Sequence, residues 1–257
     1  MTLALITGAA RRIGRALAVG LAESGHDVAV HFATSRDDAS ETVEMIRALG
    51  RKAELFHADL LDQEATKALI PSVNKVFGRP VTVLVNNASI FEYDTIETAT
   101  LSSWERHINS NLRAPFLLMQ AMAAQGLKAG SDGEPLAAGL IVNMIDQRVL
   151  KPTPEFMTYS LAKAALWSLT RTSAQALAPH IRVNAIGPGP TVQGARQTKS
   201  HFEQQRRATI LQRGSSPEDI VAALNYFLSA PAVTGQMLLT DGGQHLVWQT
   251  QDVLGVE

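Results

Sequence analysis

The sequence contains no cysteine. Disulfide staples and thiolate metal centres are therefore excluded, and the composition is compatible with a reducing compartment. Net charge is nearly absent too: 23 Lys and Arg against 24 Asp and Glu leave −1. That balance gives a nucleic acid no electrostatic footprint. Long apolar runs are also missing. None reaches the ~18 residues a bilayer-spanning helix needs, and no basic-then-apolar leader precedes the first apolar run. The expectation is a soluble, cytoplasmic protein with neither a membrane nor a nucleic acid as partner. What the chain does have is apolar bulk. Its 257 residues are 46% hydrophobic, enough for a large core, and this composition argues against disorder. An α/β fold often holds about 200–250 residues in one unit, so one domain spanning 1–257 is expected.

Short β-branched or leucine-rich runs alternate with longer amphipathic stretches. The runs fall at 3–7, 27–32, 53–60, 81–87, 139–145, 181–189 and 235–243; helical patterns occupy 12–24, 36–49, 62–77, 101–125, 156–178 and 217–229, with a weaker one at 199–212. Alternation of this kind predicts βαβ units and a parallel sheet, covered on both faces because the runs are apolar throughout. No repeat or composition shift marks a second domain. Two segments break the rhythm. Residues 125–139 are rich in glycine and small polar residues and predict a surface loop. Residues 190–217 are polar and weakly patterned and follow a strand end, where open α/β sheets bind ligands. A flexible substrate flap is expected there, at about 190–216.

The stretch "TGAARRIG" (7–14) follows a strand and opens a helix. Gly8 permits a tight turn and close approach of a phosphate, and Gly14 allows the helix to pack on the strand. Free N–H groups at the helix start favour an anion. Arg11 and Arg12, just before Ile13, add positive charge at an end that disfavours it, unless a multiply charged anion arrives. The spacing is not G-x-G-x-x-G, so alone the turn is also consistent with a structural strand–turn–helix. At the end of the second strand an acid about 20 residues past the glycines would hold a ribose hydroxyl. Here "HFATSR" (31–36) has none before Asp37. Thr34, Ser35 and Arg36, with Arg11, suit a 2′-phosphate instead, which favours NADPH over NADH.

Tyr159 and Lys163 in "YSLAKAAL" stand four residues apart and share a helix face. A neighbouring ammonium favours phenolate, so the pair is expected to exchange a proton near neutrality. An isolated Tyr and Lys at this spacing is equally consistent with two side chains snorkelling from one face.

The order and spacing of "TGxxxRIG", "NNAS" (86–89), Asn111, "YSLAK" and "GPGPT" (187–191), with "ADL" (58–60) and "TDGG" (240–243), resemble the short-chain dehydrogenase/reductase family across nearly the whole chain. The resemblance implies a doubly wound, Rossmann-like parallel sheet of seven strands with helices on both faces, hydride transfer involving a nicotinamide, and frequent homotetramers. It also implies that Asp59 and Leu60 contact the adenine, and that Asn87, Ala88 and Ser89 line the cofactor. Tyr159 and Lys163 would bind the nicotinamide ribose, and Pro188, Gly189 and Thr191 the nicotinamide end.

Three departures narrow the reading. Most members carry a serine about 13 residues before the tyrosine, whose hydroxyl donates to the oxyanion of a reduced ketone. Asp146 holds that position, and no serine lies between Asn143 and Tyr159. An ionised carboxylate cannot donate, would repel an alkoxide and would raise the tyrosine pKa. It suits a substrate with N–H donors or a ring nitrogen to be protonated. Arg12 replaces a glycine, and its planar fork matches a ring carbonyl or phosphate. Phe91, just after "NNAS", can stack on a flat ring, although a lone Phe is also simply core. With the glycine-rich insertion, these features are similar to the pteridine reductases, with which dihydromonapterin-type reductases are grouped. That resemblance assigns Arg12 and Phe91 to the substrate and Asp146 and Tyr159 to proton delivery. In that group an arginine usually precedes the serine after strand two; Thr34 stands there. The alternatives are a carbonyl or 3-ketoacyl reductase with an altered site and a non-enzymatic NADP-binding regulator. The apolar tail, 245–257, is expected to pack on a neighbouring subunit.

Overall fold

The computed structural model describes residues 2–194 and 197–249. Its first half runs β1 (Leu3–Ile6), α1 (Arg12–Glu23), β2 (Asp27–Phe32), α2 (Arg36–Ala48), β3 (Ala53–His57), α3 (Gln63–Phe77) and β4 (Val83–Asn86). Next come α4 (Leu101–Ile108), α5 (Ala114–Ala123) and a small hairpin, β5 (Gly130–Ser131) with β6 (Pro135–Leu136). β7 (Gly139–Met144), α6 (Met157–Leu177), β8 (Ile181–Pro188), α7 (Lys199–Arg207), α8 (Pro217–Ser229) and β9 (Met237–Thr240) complete the order. Seven strands form one parallel sheet in the order β3-β2-β1-β4-β7-β8-β9. This is the single doubly wound α/β domain that the alternation predicts.

The apolar runs are buried on both sides because successive side chains point to opposite faces. Ala4 and Ile6 of β1 pack with Leu17 and Leu21 of α1, Ile46 of α2 and Phe227 of α8. Leu3 and Leu5 face the other way, toward Leu69 and Val73 of α3, Leu118 and Met122 of α5 and Ala174 of α6. Each fully buried Leu or Phe contributes about 1.5–3 kcal/mol of transfer free energy, so both layers are needed to hold the central strands. The edges differ: β3 buries only Ala53 and Phe56, and every residue of β9 is at least partly exposed. From β1 the chain winds outward to β3, then returns to β4 on the other side, so the crevice opens above the carboxyl ends of β1 and β4.

Three expectations change in detail. The single helix expected at 101–125 is interrupted by a π-helical turn at Asn109–Arg113. The 125–139 loop carries the exposed β5–β6 hairpin. The weakly patterned 190–217 segment contains α7 and is organised around Arg206. That guanidinium donates to Pro190 O (2.8 Å), Gly214 O (3.3 Å) and Ser215 O, tying both ends of the segment together. Ala195 and Arg196 of this segment, and residues 250–257 of the tail, lie outside the described residues. Among the described residues no helix is long and apolar enough to cross a membrane.

Candidate active site

The glycine turn is built by close approach. Gly8 takes φ +64, and a Cβ on Gly14 would lie 2.1 Å from Gly8 O, so no larger residue fits there. Asn87, just past β4, donates from Nδ2 to Thr7 O (2.8 Å) and Gly8 O (3.2 Å). Thr7 Oγ1 accepts from the N–H groups of Asn87 (2.9 Å) and Ala88 (3.0 Å). These bonds staple β1 to β4 at the switch point. On the other side His31 is fully buried and accepts from Gly8 N at Nδ1 (3.0 Å). Its Nε2 therefore carries the proton and donates to Ala58 O (3.1 Å). Burial holds its pKa down at about 4, so the bridging imidazole is neutral. Helix α1 starts with no side-chain cap and no acid in its first turn, which leaves its first N–H groups for an anion.

An arriving anion is not the arginine pair's sole compensation, because both side chains have partners within the fold. Arg11 lies 3.6 Å from Asp38 of α2. Arg12 adopts φ +56, rare for a non-glycine residue, and donates to Val192 O (3.1 Å) and Gln193 O (2.9 Å). It thus ties the turn to the start of the 190–217 segment. Ile13, beside it, packs on the core.

Beyond β2, Thr34 and Arg36 are exposed and Ser35 is half-buried; Ser35 makes no side-chain cap bond to α2. Arg36 sits 5.9 Å above the Phe32 ring. Asp59 Oδ1 accepts from Leu61 N (2.9 Å), while the Leu60 side chain is buried in the core, leaving only backbone to meet a base there. Ser89 is exposed. Pro188 and Gly189 end β8 beside Thr240, and Thr191 Oγ1 donates to Gly189 O (3.0 Å). A Cβ on Gly189 would strike Asp241 Cα at 2.6 Å.

Asp146, Tyr159 and Lys163 converge. Tyr159 donates from its hydroxyl to Asp146 Oδ2 (2.9 Å), and Arg148 N donates to Asp146 Oδ1 (2.9 Å). Lys163 Nζ donates to Met144 O (2.7 Å) and lies 5.7 Å over the Tyr159 ring. Desolvation pushes the Asp146 carboxyl up, against the Arg148 N–H, the Tyr159 hydroxyl and the charges of Arg148 and Lys163. Burial, then the Asp146 charge, pushes the phenol well above its usual value. This corrects the expectation that Lys163 draws the tyrosine toward neutrality. Burial also brings Lys163 down to about 8. Phe91 is 45% exposed, with its ring stacked on Phe156 (4.3 Å, 7°) and edge-on to Tyr159 (4.7 Å).

A network the sequence did not disclose stands behind this cluster. Asp94 O accepts from Met157 N (3.2 Å), Asp94 Oδ1 from Thr158 N (3.1 Å), and Asp94 Oδ2 from Thr158 Oγ1 and Ser103 Oγ (3.1 Å). His107 Nε2 accepts from Glu92 N (3.1 Å), so its Nδ1 donates to Thr158 Oγ1 (2.7 Å). Asp94 and His107 are buried, and together they fix the start of α6 one residue before Tyr159. Asn111, fully buried in the π turn, spends both ends of its amide on Ile90 O (2.8 Å) and Ile90 N (2.9 Å). It thus holds the loop carrying Phe91. No local motif marks Asp94 or His107; their partners are 64 and 51 residues away.

A phosphate turn, a buried Tyr–Lys pair and a ring-sized aromatic face at one crevice suit the transfer of a hydride and a proton. Among the described residues no group of three or more His, Asp or Glu is placed to hold a metal. Fold and site together define a short-chain dehydrogenase/reductase, and the chain belongs to that family: a family model described as enoyl-(acyl carrier protein) reductase matches residues 8–245. Within the family, the chain is 39% identical to FolM alternative dihydrofolate reductase 1 of Brucella suis, solved in complex with NADP (TM-score 0.90, 98% of each chain covered). The Brucella canis protein of the same name, also with NADP, gives 39% and a TM-score of 0.88 over 98% of each chain. The 3-oxoacyl-[acyl-carrier-protein] reductase FabG of Staphylococcus epidermidis is 33% identical, covering 95% of this chain and 98% of its own.

Proposed function

We propose that this NADP-dependent oxidoreductase reduces a C=N bond in a pterin-like ring. The observation that carries the reading is the 2.9 Å hydrogen bond from Tyr159 to Asp146, a carboxyl where ketone reduction needs a hydroxyl donor. The 39% identity to the FolM structures supports it.

The cofactor NADPH supplies a hydride when bound. In this reading the pyrophosphate is held by the Gly8–Gly14 turn, with Arg11, Arg12 and Ile13, at the free end of α1. The 2′-phosphate meets Thr34, Ser35 and Arg36, and the adenine lies by Asp59 and the Leu60 backbone. Asn87, Ala88 and Ser89 line the middle, Asn111 supports that wall, and Pro188, Gly189 and Thr191 hold the nicotinamide end. Lys163 and Tyr159 hold the ribose. Phe91 offers the substrate ring a flat face, and Arg12 meets its polar edge.

Tyr159 is the proton donor, since burial keeps its phenol neutral far into the alkaline range. Its Oη gives a proton to the ring nitrogen; Asp146, ionised while it accepts from that hydroxyl, takes up a proton from water once the phenolate has formed and passes it to Oη, burial making the carboxyl easier to protonate. A general acid of this kind contributes roughly 10²–10⁴-fold. Asp146→Ala is therefore expected to lose about 10²-fold or more in dihydropterin turnover at unchanged NADPH affinity, read by NADPH depletion and by calorimetry. Wild-type pterin turnover in Asp146→Ser would overturn the role given to the carboxyl.

A second reading, reduction of a 3-oxoacyl thioester or other carbonyl, is favoured by the 33% identity to FabG. A panel of pterins, ketones, quinones and 3-oxoacyl thioesters separates the two by which of them consume NADPH. For the assembly we propose a homotetramer. The half-exposed Phe116 of α5 and Leu161 of α6 are available to a second copy, and light scattering reads the outcome.

A further inference from the structure

Arg148 belongs to none of the motifs above, yet its contacts close a circuit. Its backbone N–H donates to Asp146 Oδ1 (2.9 Å), which leaves Oδ2 to Tyr159 (2.9 Å). Its guanidinium lies 4.9 Å over the Phe156 ring and donates from Nη1 to Thr153 Oγ1 (2.7 Å). The Phe156 ring is stacked 7° from parallel on Phe91 at 4.3 Å, and Phe91 meets Tyr159 edge-on at 4.7 Å. Tyr159 returns the path to Asp146.

Phe156 is the unusual member. It precedes the first residue of α6 at φ +55, a left-handed conformation that a bulky aromatic rarely adopts. Core packing gives no reason to hold a half-buried ring in such a state. The Arg148 cation over the ring and the Phe91 ring stacked on it do give one, with Tyr93 edge-on at 5.2 Å.

We propose that Arg148 is a positioning residue that locks the aromatic platform for the substrate ring to the Asp146–Tyr159 proton-delivery pair, so that ring placement and proton position are set at one residue. The proposal rests on the reading of Asp146 as proton source. Two separate properties of Arg148 do the work. Its plane and hydrogen bond to Thr153 hold Phe156, and through it Phe91. Its charge acts on Asp146 together with Lys163 and the Tyr159 hydroxyl of α6; from β8, Gly187 approaches the Asp146 backbone and brings no charge.

The test is a pair of variants on the full chain. Arg148→Met keeps an apolar stem over Phe156 and removes the charge; Arg148→Lys keeps the charge and removes the planar fork. In Arg148→Met the KM for the ring substrate is expected to rise about fivefold. The alkaline limb of kcat is expected to move up by about half a pH unit, because Asp146 keeps its proton longer without the neighbouring cation. NADPH affinity should stay within twofold. Arg148→Lys should restore the limb and leave KM raised, and it carries the reading if the Met variant fails to fold. A wild-type limb in Arg148→Met, a displaced limb in Arg148→Lys, or a wild-type KM in both variants overturns the proposal. The profile is taken on whichever panel substrate the wild type turns over. A carbonyl-only enzyme then sinks the pterin reading, while the variants still decide the role of Arg148.

Discussion

The two halves of the crevice are built by different means. On the cofactor side, the turn after β1 is held by close backbone approach: glycines six residues apart, an uncapped helix start, and bonds from the turn's own backbone to His31 and Asn87. On the substrate side, the important groups are fixed by side chains that cross between elements. Asp94 holds Thr158, Asn111 holds Ile90, Arg12 reaches Val192, and Arg148 leans on a strained Phe156. A binding function set by backbone geometry tolerates little local change. A chemistry set by crossing side chains can be retuned without disturbing the fold.

Gly14→Ala is the harshest probe of that contrast. Its methyl would lie 2.1 Å from Gly8 O, with Asn87 Nδ2 at 2.7 Å. A loss of more than about 4 kcal/mol in stability is expected, along with NADPH binding. Denaturant unfolding and calorimetry measure both, and retention of binding would break the comparison on the cofactor side. Acidification gives the next largest effect. His31 is neutral in the fold with a pKa of about 4, against 6.5 when unfolded. The unfolded chain therefore binds the extra proton first, and stability falls as pH drops through that window. The loss approaches about 3 kcal/mol, and a His31→Gln variant should flatten it. A wild-type unfolding curve unchanged between pH 6.5 and 4 would remove His31 as the brace of the turn. Asp94→Ala sharpens the other side. Removing the carboxylate leaves the N–H and hydroxyl of Thr158 without their acceptor, at about 2 kcal/mol. The kcat should fall at least tenfold while NADPH affinity holds within twofold. A parallel fall in affinity would show that the halves are not separable.

The same contrast explains what was legible in the sequence. All seven strands of the main sheet and the Gly8–Gly14 turn follow from period, spacing and turn chemistry, which act over a few residues. Tyr159 and Lys163 stand out because they share a helix face, and Asp146 through the family resemblance, which expects a serine about 13 residues before the tyrosine. The helix at 101–125 reads as continuous from its pattern, and the π turn at Asn109–Arg113, where Asn111 bonds Ile90, has no spacing that announces it. The 190–217 segment looks patternless because its organiser, Arg206, works through backbone carbonyls that no spacing reveals. The direction of the Tyr159 shift depends on burial, and the sequence offers only the neighbouring lysine.

The π turn has a consequence for how one length of chain serves two neighbours. An α-helix advances 100° per residue, so widening a single turn acts as a phase shift on everything after it. Before the shift, α4 packs against α6, where His107 reaches Thr158; after it, α5 packs against α3. Deleting one residue from Asn109–Arg113 would restore an unbroken helix and swing one of these two surfaces out of register by about a quarter turn. The wide turn is thus a gear between the chemical end of the crevice and the distant wall of the core.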